Sequence, residues 1–180
     1  GEWVYHEALR RAGVASLRYR FAAVTLNGKD LGIYALEEHF DKRVLENNEL
    51  REGPIVRFNE NLFWREKVEQ ELPFTGSQLG GAGSYSSGDV DGFKTSAILA
   101  DPVQRKLFTQ AVSLLERFRS GELATSEVFD IEKLARYFAV TDLLGAEHGA
   151  RWHNARFYLN PITTHLEPIG FDGDAGQPWR

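Results

Sequence analysis

The sequence predicts an α+β domain, and three observations carry that prediction. Two segments alternate apolar and polar residues with period two around turn signals, helical periodicity fills much of the chain between them, and 180 residues suit one domain with a real core. Hydrophobic residues at 42 % and charged residues at 26 % are ordinary for a globular protein, and no apolar run approaches the roughly 18 residues of a membrane span. A net charge of -5 with scattered lysines and arginines gives no basic stripe, which sets nucleic acid aside as a partner. Without cysteine there is no disulfide framework, thiolate metal site or cysteine nucleophile. Methionine is absent and no charged-then-apolar leader is visible, so the chain reads as an internal segment of a longer polypeptide. The polar, glycine-rich run from Gly173 to Arg180 reads as a loop entering further structure.

In chain order, Tyr5, Ala8, Leu9 and Ala12 share one side of a helix over residues 2–12, with Gly13 as its stop. Leu17 to Leu26 and Leu31 to Leu36 flank Asn27-Gly28, a strong hairpin signal. After a polar helix or turn at 38–50, Gly53-Pro54 opens a third strand, Ile55 to Phe58, so residues 1–58 are expected to form a small antiparallel sheet with a helix. Residues 59–95 lack anchors and turn Gly/Ser-rich, which predicts a long mobile loop. Residues 96–180 are expected to form a helical lobe with a terminal hairpin. Asp101-Pro102 caps a helix whose stripe is Val103, Leu107, Ala111, Leu114 and Phe118. Asp130 caps another, running from Ile131 to Leu144, whose widely spread apolar residues predict a buried central helix. A polar, aromatic connector from Glu147 to Asn154 then leads to strands at 155–159 and 166–171.

Asn154 precedes this last hairpin and Asp172 follows it. In a symmetric register pairing Phe157 with Ile169, Asn154 and Asp172 are opposed and their side chains can converge. An amide oxygen and a carboxylate suit a hard divalent cation, and Asp174 can add a second carboxylate. Kinases use this order: a catalytic loop ending in a metal-binding Asn, a hairpin, then an Asp that bridges metal to phosphates. The His-Arg-Asp and Asp-Phe-Gly signatures are absent, and Gly80, Gly81, Gly83 and Gly88 do not follow a strand as a phosphate loop does, so an ordinary protein kinase is excluded.

The chain resembles the spore-coat CotH kinase family, an atypical kinase group, in three places. These are Val24-Thr25-Leu26-Asn27-Gly28 leading to Gly32-Ile33-Tyr34-Ala35-Leu36-Glu37-Glu38, then Gly53-Pro54-Ile55-Val56-Arg57, and the run from Tyr137 to Asp174. Within the last, His153-Asn154, Phe157-Tyr158, Pro161, Glu167-Pro168-Ile169 and Asp172-Gly173-Asp174 look like the family's Asn-to-DxD signature. The resemblance implies an atypical kinase fold with a cleft beside the final hairpin, and phosphorylation of serine or threonine in a Ser/Thr-rich protein from ATP. It also implies Mg2+ or Mn2+ held by Asn154, Asp172 and Asp174, and an extracellular, cell-envelope or spore-coat setting. Where family members carry a catalytic aspartate upstream of the Asn, this chain has Glu147 followed by His148; either can accept a hydroxyl proton. The strand bearing the ATP-pairing lysine is expected before Gly1. Arg57, Glu38 and Glu7 are the candidates for the nucleotide side, Glu7 as the helix acid that pairs with that lysine.

Blander readings stand beside these. Asn and Asp are common turn and cap residues, Glu147 and His148 suit a solvated helix end, and exposed glutamates are the default for Glu7. His148 and His153 have no third histidine at ligand spacing, which argues against zinc. A metal-dependent hydrolase would need a second metal site that nothing marks. The main rival to phosphoryl transfer is a catalytically inactive pseudokinase serving as a surface or coat scaffold, and the replaced base at Glu147 favours it.

Overall fold

The computed structural model describes residues 1–69 and 82–176. Helix α1 (Glu2–Arg11) buries Tyr5, His6 and Leu9. It ends before Gly13, whose φ of 74° is the left-handed value that favours glycine there. After the short strand β1 (Ala15–Ser16) comes the expected hairpin of β2 (Tyr19–Leu26) and β3 (Lys29–Glu37). Asn27 and Gly28 take φ of 51° and 79°, the pair of positive values that a two-residue hairpin turn requires. Helix α2 (Lys42–Asn47) is capped by Asp41, whose carboxylate accepts from the Arg43 amide.

The third strand, β4 (Ile55–Phe58), is present, but it does not join the hairpin. It pairs antiparallel with β5 (Val90–Gly92) and with β6 (Arg156–Leu159). Burial explains the separation. Ile55, Val56 and Phe58 are buried, which demands cover on both faces, whereas the hairpin leaves Phe21, Ile33 and Leu36 exposed. With β7 (Leu166–Gly170), the main sheet among the described residues has the order β1-β7-β6-β4-β5. β1 runs parallel to β7, Ala15 beside Ile169 and Ser16 beside Gly170. The predicted register of the last hairpin is off by one. Phe157 pairs with Pro168 and Arg156 with Ile169, so Asn154 and Asp172 are not directly opposed.

The segment expected to be one mobile loop carries α3 (Asn61–Glu69), α4 (Ala82–Ser87) and β5 in its described parts; residues 70–81 lie outside the described residues. After α5 (Thr95–Ala100), Asp101 caps α6 (Pro102–Arg119) by accepting from the Val103 and Gln104 amides. Of the predicted α6 stripe, Ala111 is buried and Leu107, Leu114 and Phe118 pack against the core beside the buried Leu115, while Val103 at the start of the helix is 66 % exposed. After α7 (Thr125–Val128), Asp130 caps α8 (Ile131–Leu143) through the Lys133 amide. This helix is not the buried centre that its composition predicts. Tyr137 and Thr141 are buried, while Ile131, Phe138 and Leu143 are exposed, because α8 lies on the flank of the lobe and packs along one side.

Alternation along the strands gives the sheet two covered faces. On one, Val56, Leu159 and Leu166 pack with Ala111 and Leu115 of α6. On the other, Ile55, Tyr158 and Ile169 pack with Val44 and Leu45 of α2. A third cluster joins Tyr5 and Leu9 of α1 to Tyr137 of α8 and Ala146, directly beneath the loop that follows β7.

Candidate functional site

Four segments meet at the end of the β6–β7 hairpin: a 3-10 turn (Glu147–Ala150), the connector to β6, the loop after β7, and α1. Despite the shifted register, Asn154 Nδ2 donates to Asp172 Oδ2 at 3.1 Å. The convergence comes from backbone conformation outside the ladder. Asp172 and Asp174 take φ of 41° and 50°, left-handed values that curl the loop back over the hairpin end. Asn154 is held by its own amide, which bonds Arg151 O at 2.8 Å.

His148 closes the group. Its Nδ1 lies 3.0 Å from the Asp172 carbonyl oxygen, 3.0 Å from Asn154 Nδ2 and 3.3 Å from Asp172 Oδ2. One ring nitrogen cannot serve both neighbours at once: carrying the proton it donates to Asp172, and without it accepts from Asn154. In the first state the lone pair is on Nε2. Glu147, on the same turn, is exposed.

The loop is fixed from below by close approaches that only glycine allows. A Cβ on Gly149 would stand 2.7 Å from Phe171 O, and one on Gly173 would stand 2.8 Å from the Tyr5 ring. Tyr137 donates to Gly149 O at 2.8 Å, and the Tyr5 hydroxyl pairs with Thr141 Oγ1 at 3.2 Å. Burial holds the Tyr137 phenol well above its usual range. Glu2 completes the support: its carboxylate accepts from Gly173 N at 3.2 Å and from Ala175 N at 3.1 Å, on either side of Asp174.

Two basic side chains lie behind the pair. Arg156 is buried, and burial followed by the charge of Arg57 pulls its guanidinium down to about 10. His153 stacks on Phe63 with centroids 4.9 Å apart, and burial lowers its imidazole.

The other candidates sit elsewhere. Arg57 on β4 is partly buried, 3.3 Å from Glu60 and over the Phe93 ring. The Glu38 carboxylate is engaged by Arg18 and Asn47 at the base of the hairpin. Glu7 pairs with Arg10 on the outside of α1 at 2.6 Å. Sequence reasoning missed Glu2, Tyr5 and Arg156 as site residues. No local pattern marks the first two, because their partners lie at the far end of the chain, and Arg156 reads as an ordinary strand position.

The donor chemistry fits a hard divalent cation in part. Among the described residues no group of three or more His, Cys, Asp or Glu is arranged to hold a metal ion. A cation between Asn154 and Asp172 would therefore complete its shell with water or phosphate oxygens, as magnesium does. Asn154 would turn its amide by half a rotation to offer Oδ1 in place of Nδ2.

The order of Asn154, hairpin and Asp172 is the order that kinases use. The family model described as CotH kinase protein matches residues 4–177, and the chain belongs to that family. No curated protein matches it. Among the described residues no helix is long and apolar enough to cross a membrane.

Proposed function

We propose that this chain contributes the metal-binding and catalytic part of a kinase that transfers phosphate from ATP to serine or threonine hydroxyls of a protein. The observation that carries the reading is the 3.1 Å contact between Asn154 and Asp172, brought together from opposite ends of a hairpin. Mg2+ or Mn2+ bound there would neutralise phosphate charge and orient the transferred group. Asp172 and the Asn154 amide oxygen would hold the cation, and Asp174 would be the further carboxylate. His148 is the better-supported proton acceptor: with its Nδ1 proton on the Asp172 carbonyl, Nε2 is free to take the substrate proton. Glu147 is the second candidate on the same turn. Arg57 brings positive charge to the nucleotide side, while Glu38 and Glu7 already serve local ion pairs.

A second reading is a pseudokinase scaffold at a cell or spore surface. One observation favours it: the residue near the position of the family's aspartate is Glu147, which is exposed and not engaged with Asn154 or Asp172.

The test is Mn2+-dependent ATP binding by the full-length protein and its Asp172→Ala variant. Loss of binding with the fold intact supports the kinase reading. Unchanged binding with a loss of about 1 kcal/mol of stability would reduce Asp172 to a turn residue. Binding without transfer of labelled phosphate to a serine-rich protein selects the pseudokinase, and no binding by the wild-type protein ends both nucleotide readings.

A further inference from the structure

We infer that Arg156 is a positioning residue that locks both arms of the Asn154–Asp172 pair; the inference rests on the reading of that pair as the metal site. Arg156 opens β6, and its side chain points into the sheet's α2 face, where it is 4 % exposed. One guanidinium nitrogen donates to His153 O at 2.9 Å and to Ala155 O at 3.2 Å. Those carbonyls bracket Asn154, so a single planar group fixes the backbone on both sides of it. The guanidinium carbon also lies 4.8 Å from the centre of the Phe171 ring, the residue before Asp172. Phe93 and Phe40 complete the enclosure at 5.8 Å and 6.0 Å.

Packing does not explain this choice of residue. Three phenylalanine rings would accept methionine or leucine without desolvating a charge, and replacing buried ionic groups by apolar ones is often neutral or stabilising. The cost is visible, since Arg156 Nε is buried with no hydrogen-bond partner. Nearby charge is mixed: Arg57, opposite Arg156 on β4, opposes it, while Glu60 and Asp172 favour it. What arginine supplies and an apolar side chain does not is a rigid link from the backbone around Asn154 to the ring before Asp172. The link sets the distance between two ligands whose register alone does not oppose them.

The experiment uses the full-length protein with Arg156→Met, which fills the aromatic enclosure, and Arg156→Lys, which keeps the charge but loses the planar fork. Thermal unfolding reports the fold, amide hydrogen exchange reports residues 153–155 and 171–173 without metal, and Mn2+ titration reports the site. Both variants are expected to fold, to exchange faster in those segments only, and to bind Mn2+ about ten- to a hundredfold more weakly, the range for residues that orient ligands. Wild-type exchange and Mn2+ affinity in either folded variant would overturn the inference while leaving the metal site standing, provided Asp172→Ala alone abolishes binding. If neither variant folds, Arg156 supports the fold as a whole and the positioning role is rejected. If the wild type fails to bind Mn2+, the site reading falls and takes this inference with it.

Discussion

The Glu2 carboxylate accepts hydrogen bonds from the amides of Gly173 and Ala175, so the first turn of α1 holds the loop that carries Asp172 and Asp174. Backbone bonds to a charged acceptor contribute more than neutral ones, about 1.5–3 kcal/mol each before solvent exposure is discounted. Glu2→Ala should therefore cost about 2 kcal/mol in urea unfolding and weaken Mn2+ binding, with Glu2→Gln intermediate in both. Equal stability in wild type and Glu2→Ala would show that the loop holds its shape unaided.

The two candidate bases make different predictions. His148 is in contact with Asn154 and Asp172, whereas Glu147 is exposed. If His148 takes the proton, His148→Ala should lower kcat by about 100-fold or more, and Glu147→Gln should have a smaller effect. Steady-state kinetics on a serine-rich substrate decides, and the reverse order assigns the proton to Glu147.

Glu167 on β7 is almost fully buried and meets Lys133 of α8 at 2.6 Å and Asn160 Nδ2 at 2.8 Å. Lys133→Met would leave the carboxylate with the amide alone and should destabilise by about 2–4 kcal/mol. Adding Glu167→Gln should restore part of that loss, since it removes the stranded charge. Chemical denaturation of the two variants measures both effects, and a neutral Lys133→Met would mean that Asn160 suffices.

Asp41 gives a pH-dependent prediction away from the site. Burial alone raises its carboxyl, but the Arg43 amide and the Lys94 ammonium outweigh it and the net shift is downward. A carboxyl lowered in the folded state stabilises above its unfolded value of about 3.9, and that contribution is lost as pH falls through the folded value. Asp41→Asn keeps a capping side chain, so the variant should be less stable by under about 1 kcal/mol at neutral pH and converge with wild type below about pH 4. Thermal melts across that range test it.

The features legible in the sequence were those whose cause is local. Asn27-Gly28, Asp101-Pro102 and Asp130 each determine a turn or cap through their own backbone preferences, and each does so here. What failed required knowledge of distant partners. Nothing within residues 55–58 says that they pair with 156–158 instead of the hairpin beside them. The apolar spread of α8 does not reveal that its Phe138 face is left open, and the one-residue slip between β6 and β7 follows from the turn at 160–165. The symmetric register that opposes Asn154 and Asp172 is not the one that the strands adopt. Those two side chains meet through the left-handed backbone at Asp172, which no composition signals.

The parallel pairing of β1 with β7 has a consequence for how the molecule comes into being. During synthesis, residues 15–16 leave the ribosome long before residues 169–170, and until then β1 has no strand to join. Tyr5 and Leu9 of α1 face the same wait, because Tyr137, Ala146 and Gly173 follow late. Closing so long a loop is slow and is rewarded only when both segments are present. The loop that carries Asp172 and Asp174 therefore docks on its α1 support late in folding. Until then the apolar face of α1 is uncovered, the kind of transiently exposed surface that chaperones engage.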